Sequence, residues 1–285
     1  MTTVLDAAPI HALVYGDPGM RKSTLAASFP AKILVANFDS PANIRPYIER
    51  GTERGGSYQH FQDNGVPEDS LGLVKDASGA PVPTGPVTIV RGASGRIVVE
   101  VRHFQDTIPS QPSAWRRFDV WFNLLVASGK LPATMVLDTV SGVELAARKQ
   151  DQYVDNRDTR NSIQWWGAAS RALEELLCIR LPNLPCHVVA VCHMDEDQDA
   201  WQGRMVRNPA LPNKLRRRVS GFFSDMWRVH CEFDNAGATI FKVQTQASPE
   251  YFAKSAVRAP NGSAPNFNAL VGNLVNGTAR AEPLK

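Results

Sequence analysis

The sequence contains little that marks an exported, membrane-bound or metal-binding protein. Its 285 residues include only four cysteines, and these form no C-x-x-C pair and no metal-ligand spacing: Cys178, Cys186, Cys192 and Cys231. No N-terminal segment resembles a signal peptide, and no apolar run has the length of a membrane span. We therefore expect reduced thiols in or beside buried strands, a cytoplasmic location and no membrane partner.

The sequence also lacks a strong excess of either charge. Lys and Arg together number 31 and Asp and Glu 28, which gives a formal net charge of +3. No global field demands a nucleic-acid partner, so any such prediction must depend on a local cluster. The hydrophobic share of 43% is ordinary for a globular protein, and no internal repeat is visible. The length allows one large domain or two small ones, with a sizeable core.

What the sequence does contain is a glycine-punctuated turn between an apolar strand and a helix. Apolar residues 12–15 run into Gly16, and the turn leads to Lys-Ser-Thr and then to Leu-Ala-Ala. This order follows the phosphate-binding pattern G-x-x-x-x-G-K-[ST], in which backbone amides face the phosphates. Lys22 then contacts the β- and γ-phosphates, and the Ser23 hydroxyl ligates Mg²⁺. The predicted nucleotide-binding residues are Gly16, Asp17, Pro18, Gly19, Met20, Arg21, Lys22, Ser23 and Thr24.

Arg21 is the departure from this pattern, because it stands where the last glycine belongs. A glycine is indispensable only where φ is positive or where a side chain would block the ligand. We expect position 21 to begin the helix, where a β-carbon need not clash, while Gly16 and Gly19 serve the turn. The guanidinium then either points to solvent or adds a charge near the phosphates. The alternative interpretation of the whole stretch is a strand, turn and helix that bind no phosphate.

Two further apolar strands end in carboxylates. Residues 33–38 precede Asp39, and residues 132–137 precede Asp138. Continuous apolar strands are typical of a parallel sheet covered on both faces, and ligands bind at the carboxyl ends of such strands. Asp138 has the Walker B form, in which a carboxylate holds Mg²⁺ or its waters opposite the phosphate-binding loop. The sequence therefore predicts a magnesium site formed by Ser23 and Asp138, with Asp39 nearby.

A later apolar strand, residues 186–193, ends in His193. At the strand tip this histidine is placed to sense the γ-phosphate or to orient water. A histidine that only caps the strand end is an equally good interpretation. A metal site is not predicted here, since His187 and His193 lack suitable partners.

Residues 51–113 differ in character from the rest of the chain. Gly, Pro, Asp and Ser dominate, and two β-type runs, 86–90 and 96–101, flank a Gly-Ala-Ser-Gly turn. This favours a β-hairpin on an irregular insertion without its own core. Elsewhere the patterns predict helices at 114–128, 142–155, 162–180 and 266–275, and a hairpin of residues 226–233 and 238–245 that extends the sheet. The aromatic residues of the helix at 114–128 are assigned to core packing rather than base stacking.

A basic cluster follows the strand that ends at His193. Residues 194–213 read as a polar loop containing Trp201, and residues 214–218 add four cations. A basic surface beside a mobile loop with an aromatic residue is typical of single-strand binding. The predicted contacts with single-stranded DNA are Arg204, Arg207, Lys214, Arg216, Arg217 and Arg218. The alternative is a solvated helix face beside a surface loop.

Taken together, these motifs resemble the phage RecA-like ATPases of the Sak type, relatives of RecA and RadA that act in single-strand annealing and recombination. The resemblance covers most of the chain except 51–113, and the matching segments are 16–30, 33–39, 134–139, the strand ending at His193, and 254–258. A P-loop with a Walker B strand is shared by many NTPases. Their order and spacing narrow the resemblance to the RecA-like or neighbouring AAA-type groups.

The resemblance implies a role for each matching residue. Lys22 and Ser23 bind phosphate and Mg²⁺, and Asp138 completes the Mg²⁺ site. Asp39 stands where the family carries a catalytic glutamate, and its shorter side chain puts its role as general base in question. Arg21 and Asp39 are the two departures from the family, and slow hydrolysis with intact binding is an outcome that they allow together. His193 stands where the family has a polar sensor of the γ-phosphate. The implied catalytic set is Lys22, Asp39, Asp138 and His193.

The resemblance also implies partners. Segments 151–161 and 194–213 correspond in position to DNA-facing loops. Lys254 and Arg258 correspond to charged fingers that act on the nucleotide of a neighbouring subunit, which implies a homo-oligomer such as a ring or filament.

The sequence as a whole predicts one α/β domain over residues 1–285, with 51–113 inserted in it. Its core is a RecA-like P-loop NTPase with a mostly parallel sheet flanked by helices. The expected function is binding of ATP with Mg²⁺, and its hydrolysis, on single-stranded DNA in the cytoplasm, that of the host cell if a phage encodes it. Two alternatives stay open: a nucleotide-binding regulatory module with little turnover, and a P-loop kinase whose lid carries Arg91, Arg96 and Arg102.

Overall fold

The computed structural model describes residues 8–52, 55–62, 65–157, 162–198 and 204–275. The eleven strands are β1 (His11–Gly16), β2 (Ile33–Asn37), β3 (Ser57–Phe61), β4 (Val87–Arg91), β5 (Ile97–His103), β6 (Thr134–Asp138), β7 (His187–Gln198), β8 (Met205–Pro209), β9 (Asp225–Phe233), β10 (Thr239–Gln244) and β11 (Lys254–Ser255). The α-helices are α1 (Lys22–Ala27), α2 (Arg45–Thr52), α3 (Ala114–Ser128), α4 (Val140–Gln150), α5 (Ser162–Glu175), α6 (Asn213–Val219) and α7 (Phe267–Val275).

The chain is an α/β protein with a mostly parallel mixed sheet. The strand order is β10-β9-β1-β7-β6-β2-β5-β4-β3, and the six strands from β9 to β5 are parallel to one another. Strand β7 therefore lies between β1 and β6. In register, Gly16 lies opposite His193, and Asp138 lies opposite both Val191 and Asn37. The sheet thus brings the carboxyl ends of β1, β2 and β6 and the His193 region of β7 to one edge.

Hydrophobic layers cover both faces of the sheet. Leu13 and Tyr15 of β1 belong to the layer that contains α3 and α4. Ala12 and Val14 point the other way, into the layer with Tyr47 and α7. This alternation explains why the central strands read as continuous apolar runs: both faces are buried. The predicted use of the α3 aromatic residues for core packing is confirmed, since the side chains of Phe118, Trp121 and Phe122 are buried.

Several predicted elements are confirmed. Helix α3 spans residues 114–128 and ends at Gly129, whose φ of 67° suits a glycine. Helices α4 and α5 continue into π-helical turns at 151–155 and 176–180, which accounts for the long predicted helices. Strands β9 and β10 form the predicted hairpin that extends the sheet. The four cysteines are free thiols, although Cys178 lies in a helical turn rather than a strand.

The hairpin within residues 51–113 is present, but it belongs to the main sheet. Strand β5 pairs in parallel with β2, and β4 and β3 then continue the sheet to its edge. The prediction of an irregular insertion is therefore wrong for these strands. A buried ion pair between Arg102 and Glu100, with nitrogen and oxygen 2.8 Å apart, links β5 to Ser70 in the preceding loop.

The prediction of a loop at residues 194–213 is also wrong. Strand β7 continues to Gln198 and pairs with β8 as an antiparallel hairpin. Glu196 lies directly opposite Arg207 across this hairpin and forms an ion pair with it, a cross-strand contact that favours strands even though the residues are polar. Residues 199–203, including Trp201, lie outside the described part of the chain. Across the described residues, the helices are all too short or too polar to span a bilayer.

Candidate functional site

The turn after β1 depends on two glycines. A β-carbon on Gly16 would lie 2.3 Å from the carbonyl oxygen of Val229 on β9, so a larger residue would collide with the neighbouring strand. Gly19 has a φ of 79°, in the left-handed region that glycine adopts without strain. Both glycines therefore serve the turn, as the sequence predicted.

Lys22 is folded back into the turn. Its ammonium group donates hydrogen bonds to the carbonyl oxygens of Gly16, at 2.8 Å, and Asp17, at 2.7 Å. The side chain is buried, and burial lowers the pKa of Lys22 although the Asp138 carboxylate opposes that shift. The turn thus holds a cation among backbone groups, where an anionic ligand would complete its coordination.

Asp138 is the buried carboxylate of the site. Its Oδ2 atom accepts a hydrogen bond from the Ser23 hydroxyl at 2.8 Å and another from the Tyr47 hydroxyl at 2.7 Å. Only 3% of the residue is exposed. Burial raises the pKa of Asp138, and the two hydroxyls and the ammonium of Lys22 act in the opposite direction. The structure therefore brings Ser23 and Asp138 into direct contact.

Arg21 differs from the expectation. Its φ of 60° lies in the left-handed region, so this position does have the backbone conformation that glycine prefers, and the expectation of an unproblematic helix start is wrong. The residue is exposed and lies on the wall of the cavity described below. Its guanidinium lies over the ring of Phe241 on β10, with its carbon 4.2 Å from the ring centre.

The turn and the neighbouring strand ends enclose a cavity of about 530 Å³. Predicted residues on its wall are Pro18, Gly19, Met20, Arg21, Lys22, Ser23, Thr24, Asp39, Asp138 and His193. Gly16 and Asp17 take part through the carbonyl oxygens that hold Lys22. The volume lies within the range of small-molecule binding sites. The residues of the turn after β1, both carboxylates and the histidine therefore share one cavity.

Asp39 follows β2 at the cavity wall. Its Oδ1 accepts from the Ser40 amide at 2.7 Å, and its Oδ2 accepts from the Asn43 side chain at 2.9 Å. The Asp39 amide donates to the Asn37 side-chain oxygen, and the Asn37 side-chain nitrogen donates to the Asp39 carbonyl oxygen, at 3.1 Å each. Gln105 also donates to that carbonyl oxygen. The position of Asp39 on the cavity wall is thus fixed by several contacts.

A chain of hydrogen bonds runs from Asn37 across the sheet. The Asn37 side chain contacts His103 at 3.1 Å, His103 contacts Thr88 at 3.1 Å, and Thr88 contacts His60 at 2.8 Å. The chain crosses from β2 through β5 and β4 to the exposed edge strand β3. Burial, followed by the charge of His60, lowers the pKa of His103 to about 4. His103 is therefore a neutral link between the sheet edge and the Asp39 backbone.

His193 lies beside the turn, opposite Gly16 in the pairing of β1 with β7. It is half-buried, and burial together with the nearby Lys22 ammonium lowers its pKa, while Asp39 and Asp138 oppose the shift. A neutral imidazole at this place can accept or donate one proton on the cavity wall. The histidine is part of the site, and it does not end the strand.

Lys254 and Arg258, the predicted charged fingers, do not lie on the cavity wall. The ammonium of Lys254 donates to the carbonyl oxygen of Ser220 in its own chain. Arg258 is exposed and has a φ of 53°. Neither residue is among those that line the cavity in the described part of the chain.

The predicted basic cluster is divided by ion pairs. Arg207 pairs with Glu196, Arg216 with Asp195 and Asp197, and Arg218 with Glu174. The other three predicted contacts, Arg204, Lys214 and Arg217, are exposed, and within the described ranges no carboxylate pairs with them. The hairpin of β7 and β8 therefore supplies the acidic groups that neutralise Arg207 and Arg216, and α5 supplies the one that neutralises Arg218.

Sequence reasoning missed the wall opposite the turn. Helix α2 and the residues before it were not predicted, yet Asn43, Arg45 and Pro46 line the cavity and Tyr47 contacts Asp138. A signal was present, since Ser40-Pro41 begins a helical turn and the Ser40 hydroxyl accepts from the Ala42 amide.

The chain matches no protein-family model and no curated protein. In the described residues, no group of three or more His, Cys, Asp or Glu side chains could hold a metal ion. The oxygen atoms of Ser23 and Asp138 are instead of the type that Mg²⁺ prefers when water and substrate oxygens supply its other ligands. The residues present therefore fit a magnesium ion that arrives with a phosphate ligand.

Proposed function

We propose that this chain is a RecA-like P-loop nucleoside triphosphatase that binds ATP with Mg²⁺. The observation that carries the proposal is the 2.8 Å hydrogen bond from Ser23 Oγ to Asp138 Oδ2. The two residues are 115 positions apart and belong to the two motifs whose meeting the sequence predicted. The position of β7 between β1 and β6, with His193 at the same edge, supports the same class.

Each residue of the site would have a role in hydrolysis that follows from its position and charge. Backbone amides of the turn and the Lys22 ammonium would bind the phosphates, with Lys22 exchanging its two carbonyl partners for phosphate oxygens. Ser23 and Asp138 would hold Mg²⁺, which when bound neutralises charge on the phosphate oxygens. Asp39 would accept the proton of the attacking water, since its carboxylate lies on the same cavity wall. His193 would hydrogen-bond the terminal phosphate or that water.

Action on single-stranded DNA and assembly into a ring or filament are further parts of the proposal. Support for DNA binding comes from the exposed cations Arg204, Lys214 and Arg217 near the hairpin of β7 and β8. The exposed Arg258 supports a contact with a neighbouring subunit, whereas Lys254 would first have to leave the Ser220 carbonyl. We place this activity in the cytoplasm.

The kinase alternative has less support. Arg91 is bound by both oxygens of Asp69, and Arg102 is buried beside Glu100. The turn between β4 and β5 lies at the start of β5, whereas Asp39 follows the opposite end of the parallel strand β2. A regulatory module that binds ATP with little turnover would share all the contacts described, and phosphate release separates it from the enzyme.

Equilibrium binding of ATP with Mg²⁺, followed by phosphate release, tests the proposal. We expect Lys22→Ala to abolish nucleotide binding, because it removes the cation of the turn, while Lys32→Ala, exposed and outside the cavity wall, serves as the matched control. Single-stranded DNA should increase phosphate release by the wild type. Unchanged ATP affinity in Lys22→Ala would overturn the site, and binding without phosphate release would establish the regulatory module.

A further inference from the structure

Tyr47 makes an unusual contact for a core tyrosine. It is fully buried in the layer that contains α7, and its hydroxyl donates to Asp138 Oδ2 at 2.7 Å. Buried tyrosine hydroxyls need some partner. Here the partner is the carboxylate of the proposed cation site, and the acceptor is the same oxygen that receives the Ser23 hydroxyl.

We infer that Tyr47 is a positioning residue for the cation site, holding the Asp138 carboxylate in the orientation that binds the Mg²⁺ of the nucleotide. The inference rests on the proposed function. It assigns a cation-site role to helix α2, which belongs to neither sequence motif.

The two hydroxyls come from different elements. Ser23 is on α1, directly after the turn, and Tyr47 is on α2, beyond the loop that carries Asp39. Because both protons are directed at Oδ2, the carboxylate cannot rotate without losing two hydrogen bonds to a charged acceptor. Among the described residues, no hydrogen bond to Oδ1 competes with a cation or its waters for that oxygen.

The Ser23 hydroxyl has two tasks in this arrangement. Its proton is held by Asp138, which leaves oxygen lone pairs for the cation. Its position depends on the turn, which must adapt to the phosphates. Tyr47 is on α2, which is not part of the turn, so its hydroxyl can still hold Asp138 when Ser23 adjusts. Groups that orient a metal ligand in this way typically contribute 10- to 100-fold in metal affinity.

The test is a Mg²⁺ titration of ATP binding, measured by equilibrium binding and not by turnover. Tyr47→Phe keeps the ring and removes the hydroxyl, and we expect the Mg²⁺ concentration for half-maximal binding to rise about 10- to 100-fold. Affinity for ATP without Mg²⁺ should stay within about two-fold of wild type, since the phosphate-binding turn is intact. Tyr153→Phe, on a partly exposed tyrosine of the turn after α4, is the matched control.

Two further variants separate positioning from folding. In an Asp138→Asn background, Tyr47→Phe should leave the Mg²⁺ requirement unchanged, because the carboxylate it orients is gone. Replacing Tyr47 by 4-aminophenylalanine, which has the same shape and keeps a donor, should restore the requirement to within a few-fold of wild type. This replacement also keeps the core filled if Tyr47→Phe does not fold.

The outcomes are distinct. An unshifted Mg²⁺ curve for Tyr47→Phe, or equal losses with and without Mg²⁺, would overturn the inference and leave the proposed function intact. Failure of 4-aminophenylalanine to restore the Mg²⁺ requirement would also overturn the inference, since the donor would then not be the cause. Absence of ATP binding by the wild type at every Mg²⁺ concentration would overturn both.

Discussion

The Arg21 guanidinium lies 4.2 Å from the centre of the Phe241 ring, which ties the turn after β1 to the edge strand β10. The contact gives the guanidinium a partner on β10, while the residue itself is on the wall of the cavity. The backbone at residue 21 is in the left-handed region, which is unfavourable for any residue with a β-carbon.

A double-mutant cycle measures this contact. We expect Phe241→Leu to lower the free energy of unfolding by about 0.5–1 kcal/mol more in wild type than in an Arg21→Gly background, the usual size of a cation–π contact near the surface. Urea unfolding followed by fluorescence reports the difference. Phe233→Leu, at a ring that is 74% exposed on the same hairpin, should show no such dependence on Arg21. Equal effects of Phe241→Leu in both backgrounds would show that the ring and the guanidinium are not coupled.

The divided basic cluster leads to a prediction about DNA. If the chain binds single-stranded DNA, Arg217→Ala should weaken binding at low salt and reduce the slope of log K against log salt by about 0.7, the loss of one phosphate contact. The exposed Arg217 has no carboxylate partner among the described residues, whereas Arg216 is half-buried between two aspartates. Arg216→Ala should therefore reduce stability while leaving the salt slope unchanged. If Arg216→Ala instead reduced the salt slope and Arg217→Ala left it unchanged, the binding surface would be assigned to Arg216.

Sequence patterns predicted the elements that local chemistry determines. The apolar runs of β1, β2 and β6 are continuous because both faces of the sheet are covered, and Gly129 ends α3 where a left-handed residue is required. The meeting of Ser23 with Asp138 was predictable because parallel strands end at one edge. Each of these depends on neighbours in sequence or on a general property of parallel sheets.

The unpredicted features depend on contacts between distant residues. Parallel pairing of β5 with β2 places the 51–113 hairpin in the main sheet, and polar composition alone does not reveal the buried Glu100–Arg102 pair that accompanies it. The hairpin of β7 and β8 is likewise polar, so an apolar alternation could not signal it. Tyr47 was not singled out from the sequence, because its contact is with Asp138, which is 91 positions away.

Stability should fall in acid because of His103. Burial lowers its pKa from 6.5 to about 4, so the unfolded state binds a proton more readily between these pH values. Stability from this group is therefore complete above about pH 6.5 and is lost as the pH falls toward 4. Between about pH 7.5 and pH 5 the loss amounts to about 2 kcal/mol.

Urea unfolding of wild type and His103→Gln at those two pH values checks this. The variant should lose about 2 kcal/mol less on acidification, whatever its stability at neutral pH. The other histidines with a lowered pKa, His187, His193 and His230, are common to both proteins and cancel in the comparison. His60→Gln, at the exposed end of the hydrogen-bond chain, should keep most of the wild-type pH dependence. An identical pH dependence in His103→Gln would mean that His103 does not titrate in this range.

Breaking the buried ion pair should be costly. Arg102→Leu leaves the fully buried Glu100 carboxylate without its cation, and we expect the free energy of unfolding to fall by about 3–5 kcal/mol. The exposed pair of Arg45 and Glu49 is the contrast, since Arg45→Ala should change stability by less than about 1 kcal/mol. Chemical denaturation of both variants gives the comparison. A loss below about 1 kcal/mol for Arg102→Leu would show that Ser70 and the amides of residues 71 and 72 satisfy Glu100 without it.

Asp39 gives the sharpest test of hydrolysis. On the proposed function it is the base, and its side chain is one methylene shorter than a glutamate at this position would be, so we expect it to reach the attacking water poorly. Asp39→Asn should lower kcat by about 10²-fold, the low end of the usual contribution of a general base because of this poor reach, with ATP affinity within a few-fold of wild type. Asp39→Glu should raise kcat, because it restores the reach. Phosphate release at saturating ATP measures both. Asp106→Asn, at a carboxylate that caps the start of α3, is the control and should leave kcat unchanged. If Asp39→Asn keeps the wild-type kcat, the base lies elsewhere, and Asp39 only orders the loop through Ser40 and Asn43.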